Sequence, residues 1–101
     1  MSSINVVETA AALPAAWSSC SLGQVGTACV KVLRMDSSPV QEEVHGADEV
    51  LLVLDGRLEL LVEGVEVTIE AGQMYRVPTG ARHAVRPGSR GTLMIVEEPG
   101  V

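Results

Sequence analysis

The sequence predicts an all-β domain, a sandwich or closed barrel with little helix. Three observations carry that prediction. Apolar and polar residues alternate over short stretches, as in Val65-Glu66-Val67-Thr68-Ile69-Glu70, the period of a half-buried strand. Turn signals built on Gly, Pro and Asp recur at close intervals, and no stretch supports a long helix. The apolar residues are mostly Val, Leu, Ala and Met, with no Phe, one Trp (Trp17) and one Tyr (Tyr75). A core of branched aliphatics favours strands. A chain of 101 residues holds one such core, and 47% hydrophobic content is ample to fold it.

Residues 4–7 (Ile-Asn-Val-Val) read as a short strand. Residues 8–27, rich in Ala, Ser and Gly and broken by Pro14, read as an irregular arm. The chain thus divides into an N-terminal strand and arm, 1–27, and a β-domain, 28–98. Residues 28–35 read as a strand, and Asp36-Ser37-Ser38-Pro39 as a turn. Val50–Leu54 is a continuous aliphatic run, which suits a strand buried on both faces. Asp55-Gly56 is the strongest hairpin signal, since a type I′ turn needs positive φ at both central residues. Alternation resumes through Leu58, Leu60 and Val62, and Gly64 permits another turn. Strands over 65–70, 74–77, 83–86 and 92–97 complete a set of about nine. Met35, Met74 and Met94 are read as core.

Composition excludes several function classes. The net charge of −6 repels phosphate backbones, and the chain lacks stacking aromatics, so nucleic acid is not an expected partner. The longest apolar run, Ala10–Trp17, is too short to span a membrane and contains a proline. No Lys or Arg precedes Lys31, so a secretory n-region is missing. Cys20 and Cys29 form no CxxC and read as free thiols in a reducing cytoplasm. Four arginines (Arg76, Arg82, Arg86, Arg90) fall in the last third. They form a solvated rim or place a guanidinium at a pocket mouth.

Both histidines fall in one spaced constellation: Glu43-Val44-His45, Glu49, Gly56, Gly72, Pro78, Gly80 and His83. Glu43, His45 and Glu49 share strand parity. Asp48, by parity, faces outward. Two imidazoles and two carboxylates suit a divalent metal and form a neutral site around it. Oxygen donors tilt the choice toward Fe, Mn, Zn or Ni rather than copper.

The pattern resembles the cupin superfamily, small jelly-roll β-barrels of two packed antiparallel sheets. The family's first motif runs Gly, five residues, His-x-His, three or four residues, Glu, six residues, Gly. The second runs Gly, five residues, Pro-x-Gly, two residues, His, three residues, Asn. His45, Glu49 and Gly56 match the first; Gly72, Pro78, Gly80 and His83 match the second, with residues 57–71 between. Ser37 and Pro87 depart from the pattern at turn positions. Glu43 replaces the first histidine. The resemblance makes His45, Glu49 and His83 three of four ligands, with Glu43 in the fourth place or beside the metal as a base or orienting acceptor.

The resemblance implies metal-dependent chemistry of oxygenase or isomerase type on a small organic molecule, with or without a carboxylate. Arg82, next to His83, is the candidate partner of that carboxylate. Tyr75 and Arg76 have opposite parity, so one of the two faces the cavity. The alternative is a non-catalytic small-molecule binder or sensor with a degenerate or empty metal site. The resemblance further implies a homodimer, with residues 1–8 as the exchanged strand.

Overall fold

The computed structural model describes residues 3–98. In chain order these form α1 (Val6–Ala11), β1 (Cys20–Val25), β2 (Ala28–Met35), β3 (Val40–Glu43), β4 (Glu49–Val62), β5 (Val65–Glu70), β6 (Met74–Val77), β7 (His83–Val85) and β8 (Arg90–Glu97). The strands join in one antiparallel sheet of order β1-β2-β8-β4-β7-β3, with β5 and β6 also paired to β4. The sheet curls on itself into a barrel. Its two halves are therefore one continuous hydrogen-bonded surface rather than separate sheets.

β4 makes this closure possible. Its first residues pair with β6 and β8, for example Leu51 with Tyr75 and with Ile95. Its last residues pair with β5 and β7, Leu61 with Glu66 and with Ala84. The strand changes partners at a bulge between Val53 and Asp55. Asp55-Gly56, read as a hairpin turn, lies inside β4 just past this bulge, paired with Thr92 and Gly91 of β8. Gly56 (φ +77°) faces Gly91 of β8 (φ +98°), and the two backbones touch. Positive φ is present, as the sequence demanded, but it bends a strand instead of reversing it. The two-residue reversal comes at Glu63-Gly64, φ +47° and +78°, which joins β4 to β5.

The interior is aliphatic. Val53 and Leu58 are wholly buried, and Leu33, Leu51, Leu60 and Leu93 nearly so. Residues 50–54 alternate between buried and half-buried, so the run covers one face of the sheet rather than two. Met35 lies in the core as expected, but Met74 is exposed. Cys20 and Cys29 are both free.

The N-terminal arm differs most from expectation. Residues 6–7 open a helix, not a strand. Asn5 caps it by accepting a hydrogen bond from the Glu8 amide, Glu8 lies in the first turn, and Ala10 is fully buried where the helix packs on β2 and β8. Cap and packing override the strand preference of Val6 and Val7. The helix also takes up residues 6–8 of the segment 1–8 expected to be exchanged as a strand; residues 1–2 lie outside the described residues. Within the supposed irregular arm, Cys20–Val25 forms edge strand β1. Most of its residues are exposed and a bulge interrupts it near Gly23, so no alternation marks it. The strand count among the described residues is eight rather than nine. Among the described residues no helix is long and apolar enough to cross a membrane.

Candidate metal centre

Four strand ends meet at one end of the barrel. Glu43 is the last residue of β3, Glu49 the first of β4, His83 the first of β7 and Glu97 the last of β8. The ladders set them side by side, Glu43 opposite His83 and Glu49 opposite Glu97. His45 joins them from the loop after β3. The Gly80 amide donates to the His45 carbonyl at 2.9 Å. In the same contact zone Asp48 accepts from Thr79 N–H and Oγ1–H, both at 2.9 Å, and from Arg76 Nη1 at 2.6 Å. Pro78-Thr-Gly80 is therefore a clamp on the 44–48 loop, a direct structural reason for that spacing. Asp48 does face outward, and it positions His45 from there.

The donor atoms converge. His45 Nε2 lies 3.2 Å from Glu43 Oε2 and 3.9 Å from Glu49 Oε2, and His83 Nε2 lies 3.5 Å from Glu49 Oε1. Two ligands on opposite sides of an ion at about 2.1 Å each are about 4.2 Å apart, so these spacings suit a shared cation. One donor atom from each of Glu43, His45 and His83 lies within 4.8 Å of the others. Glu43 is the most exposed of the four, so its side chain has the freedom to close on an ion. His83 Nδ1 lies 3.0 Å from the Ala81 carbonyl. A carbonyl only accepts, so Nδ1 carries the proton and Nε2 turns a lone pair to the centre. The residues present fit a divalent metal.

Glu97 and Lys31 have no role in the motif pattern, yet they belong to the centre. Lys31 Nζ donates to Glu97 Oε1 at 2.9 Å, and that bond raises the lysine's pKa. Burial alone would raise Glu97, but hydrogen bonds from Glu49 and Lys31 outweigh it and hold Glu97 below its ordinary value. Glu49 takes the opposite shift. Its pKa is pushed up to about 8, first by burial, then by its hydrogen bond to Glu97 and the charges of Glu97 and Glu43.

A pH dependence follows. The folded metal-free protein keeps the Glu49 proton up to about pH 8, whereas the unfolded chain releases it near 4.5. Between those values this group lowers stability as pH rises, by at most about 1.4 kcal/mol per pH unit. Thermal melts in chelator should show Tm falling across this window, and Glu49→Gln should flatten most of the fall. Equal slopes in both proteins would show that Glu49 does not hold the proton. Metal uptake must displace the same proton, so affinity should rise with pH up to about 8.

The centre opens into a cavity of about 280 Å³. Its wall is mainly aliphatic, including Leu33, Leu51, Leu58 and Ile95, with Trp17 and Ser19 contributed by the N-terminal arm. Arg82, Tyr75 and Arg76 are absent from the lining. The Arg82 backbone is tied to Glu63, Arg76 is paired with Asp48 outside, and Tyr75 packs against the core. The structure thus brings together the four proposed ligands and not the three proposed substrate contacts.

Comparisons with known proteins agree with this architecture. No curated protein matches the chain by sequence. Among solved structures, a cupin-2 domain protein of Shewanella frigidimarina shares 24% identity at TM-score 0.85, covering 94% of this chain and 93% of that one. A protein of Neisseria meningitidis shares 21% at TM-score 0.82, covering 96% and 99%. A hydroquinone 1,2-dioxygenase of Sphingomonas, solved with 4-hydroxybenzoate bound, shares 16% at TM-score 0.82, covering 96% and 74%. At these identities the likeness carries the fold alone. Residues 34–97 match the sequence profile described as the cupin domain, a segment containing every residue of the centre. With that match over more than half its length, the chain belongs to the cupin family.

Proposed function

We propose that this protein binds a divalent metal (Fe, Mn, Zn or Ni) through Glu43, His45, Glu49 and His83. With it, the protein acts on a small organic molecule by oxygenase- or isomerase-like chemistry. The supporting observation is the convergence of Glu43, His45 and His83, with Glu49 3.9 Å and 3.5 Å from the two imidazoles, on an apolar cavity sized for a small ligand. One of the structural relatives is itself an enzyme of oxygen chemistry. A metal bound here supplies Lewis acidity and, for the redox-active ions, an electron source. His83, locked in one tautomer, and His45, clamped by Gly80, fix the direction of two donors. The aliphatic wall keeps bulk water from the reacting atoms. When Glu49 ligates, its proton is released, and Glu97, held by Lys31, remains as the carboxylate lining the cavity, able to accept a proton from a bound molecule. The two free thiols support a reducing, cytoplasmic setting.

The first test is metal content by elemental mass spectrometry on untagged protein, before and after reconstitution with a panel of divalent ions. Near-stoichiometric metal is the expected result. No metal under any condition would sink the enzymatic reading and leave a binding barrel. Glu43→Ala is expected to lower metal affinity about 10- to 100-fold, read by calorimetry. Unchanged affinity would remove Glu43 from the ligand set.

A further inference from the structure

Trp17 is the one cavity-lining residue with a strained backbone. Its φ is +65°, a conformation that bulky side chains rarely adopt. Such outliers persist where their surroundings fix them, and they concentrate at ligand clamps. Here the fixing is explicit. The Trp17 amide donates to the Arg34 carbonyl at 2.8 Å, the indole Nε1–H donates to Asp36 Oδ1 at 2.8 Å, and Arg34 Nη2 donates to the Leu13 carbonyl at 3.2 Å. Residues 13–17 are thereby strapped across the end of β2, and the indole becomes part of the cavity wall.

Charge narrows what that wall can accept. Glu43, Glu49 and Glu97 line the cavity, and no Lys or Arg does. A divalent ion offsets the carboxylates that ligate it, and Lys31 offsets Glu97 from outside the lining. The loaded cavity is then close to neutral and has no cation left for an anionic substrate. Burying a further unpaired charge against this aliphatic wall is costly. The volume of about 280 Å³ is nearly twice the roughly 150 Å³ at which an apolar protein cavity accepts benzene. One substituted ring fits that space.

Building on the metal-site reading, we propose that the cavity selects an uncharged single-ring molecule with one oxygen head group. Trp17, held by Asp36, is the residue that sets this selectivity. The head group lies toward the histidines, and the ring lies between the indole and the aliphatic wall. This replaces the carboxylate-bearing substrate expected from Arg82, which lies outside the cavity.

Trp17 is the only tryptophan in the chain, so its emission reports on the cavity directly. The test titrates phenol and succinate into zinc-loaded and metal-free protein, with zinc uptake measured separately by calorimetry. Phenol should change Trp17 emission saturably, and succinate should bind at least tenfold more weakly. Trp17→Ala, followed by calorimetry, should weaken phenol about tenfold. If that variant does not fold, Asp36→Ala keeps the indole but removes its tether, and it should weaken phenol severalfold. Succinate binding as tightly as phenol, or unchanged phenol affinity in the folded variant, would overturn the proposal. Zinc uptake without phenol binding would defeat this inference and leave the metal reading intact. Phenol binding without zinc uptake would do the reverse, and absence of both would defeat both.

Discussion

Gly91→Ala should yield almost no folded protein. A Cβ at this position lands 2.0 Å from the Asp55 carbonyl oxygen and 2.9 Å from the Gly56 Cα. Both obstacles are backbone, so no side-chain rotation relieves the clash. The φ of +98° is also strained for any L-residue with a side chain. Gly56→Ala meets the Arg90 carbonyl oxygen at the same 2.0 Å. A loss beyond about 4 kcal/mol is expected, against a total stability of about 5–15 kcal/mol for a domain of this kind. Gly64→Ala is the control. Its φ is similar at +78°, but nothing lies within 4 Å of the added methyl, so only the conformational cost of about 1 kcal/mol applies. Urea melts and circular dichroism decide the matter. If Gly91→Ala unfolds at nearly the wild-type midpoint, the backbone contact described between β4 and β8 is wrong.

His83→Ala should abolish most metal binding while leaving the barrel folded. His83 is the best-prepared donor of the centre, since its environment fixes both ring orientation and tautomer. Losing a direct ligand should cost at least the upper end of the roughly 10- to 100-fold that orienting partners contribute. His45→Ala together with His83→Ala should remove binding altogether. The fold survives because the neighbouring Glu49 already holds a proton and leaves no naked charge behind. Thermal stabilisation by metal gives a second readout: wild type gains about 2.7 kcal/mol at a ligand concentration of 100 Kd, and the double variant gains nothing. A double variant that still takes up stoichiometric metal would move the site elsewhere in the molecule.

Most barrel strands were legible because each rests on a local rule, and the candidate ligands were legible from motif spacing. Alternation over 65–70 follows from the period of a strand, and the Pro78–Gly80 turn follows from residue chemistry. Glu97 was within reach of the same logic. It shares parity with Leu93 and Ile95, which line the cavity, and its place on that face follows from alternation alone. Other features were not local. Asp55-Gly56 has the sequence of a hairpin and instead continues β4 beside a bulge, because Gly91, thirty-five positions past Gly56, supplies the facing backbone. The helix at Val6–Ala11 is decided by a cap and by packing on β2 and β8. Trp17 enters the cavity through hydrogen bonds to the end of β2, and no periodicity in an irregular arm announces that. Arg82 lies next to His83 in sequence, yet it precedes β7, its backbone is tied to Glu63, and it does not line the cavity.

The unequal connectivity of the strands divides the candidate metal centre into a stiff half and a soft half. β4 is hydrogen-bonded to four other strands, whereas β3 lies at the sheet edge with β7 as its one partner. Opening β4 means dismantling the domain, so its amides exchange with solvent at the free energy of global unfolding. β3 can fray alone at far lower cost. Glu49 rides on the first kind of strand, and Glu43, with His45 just beyond it, on the second. On the proposed metal reading, ion capture would be the closing of a loose edge onto a fixed frame, and ion release the fraying of that edge.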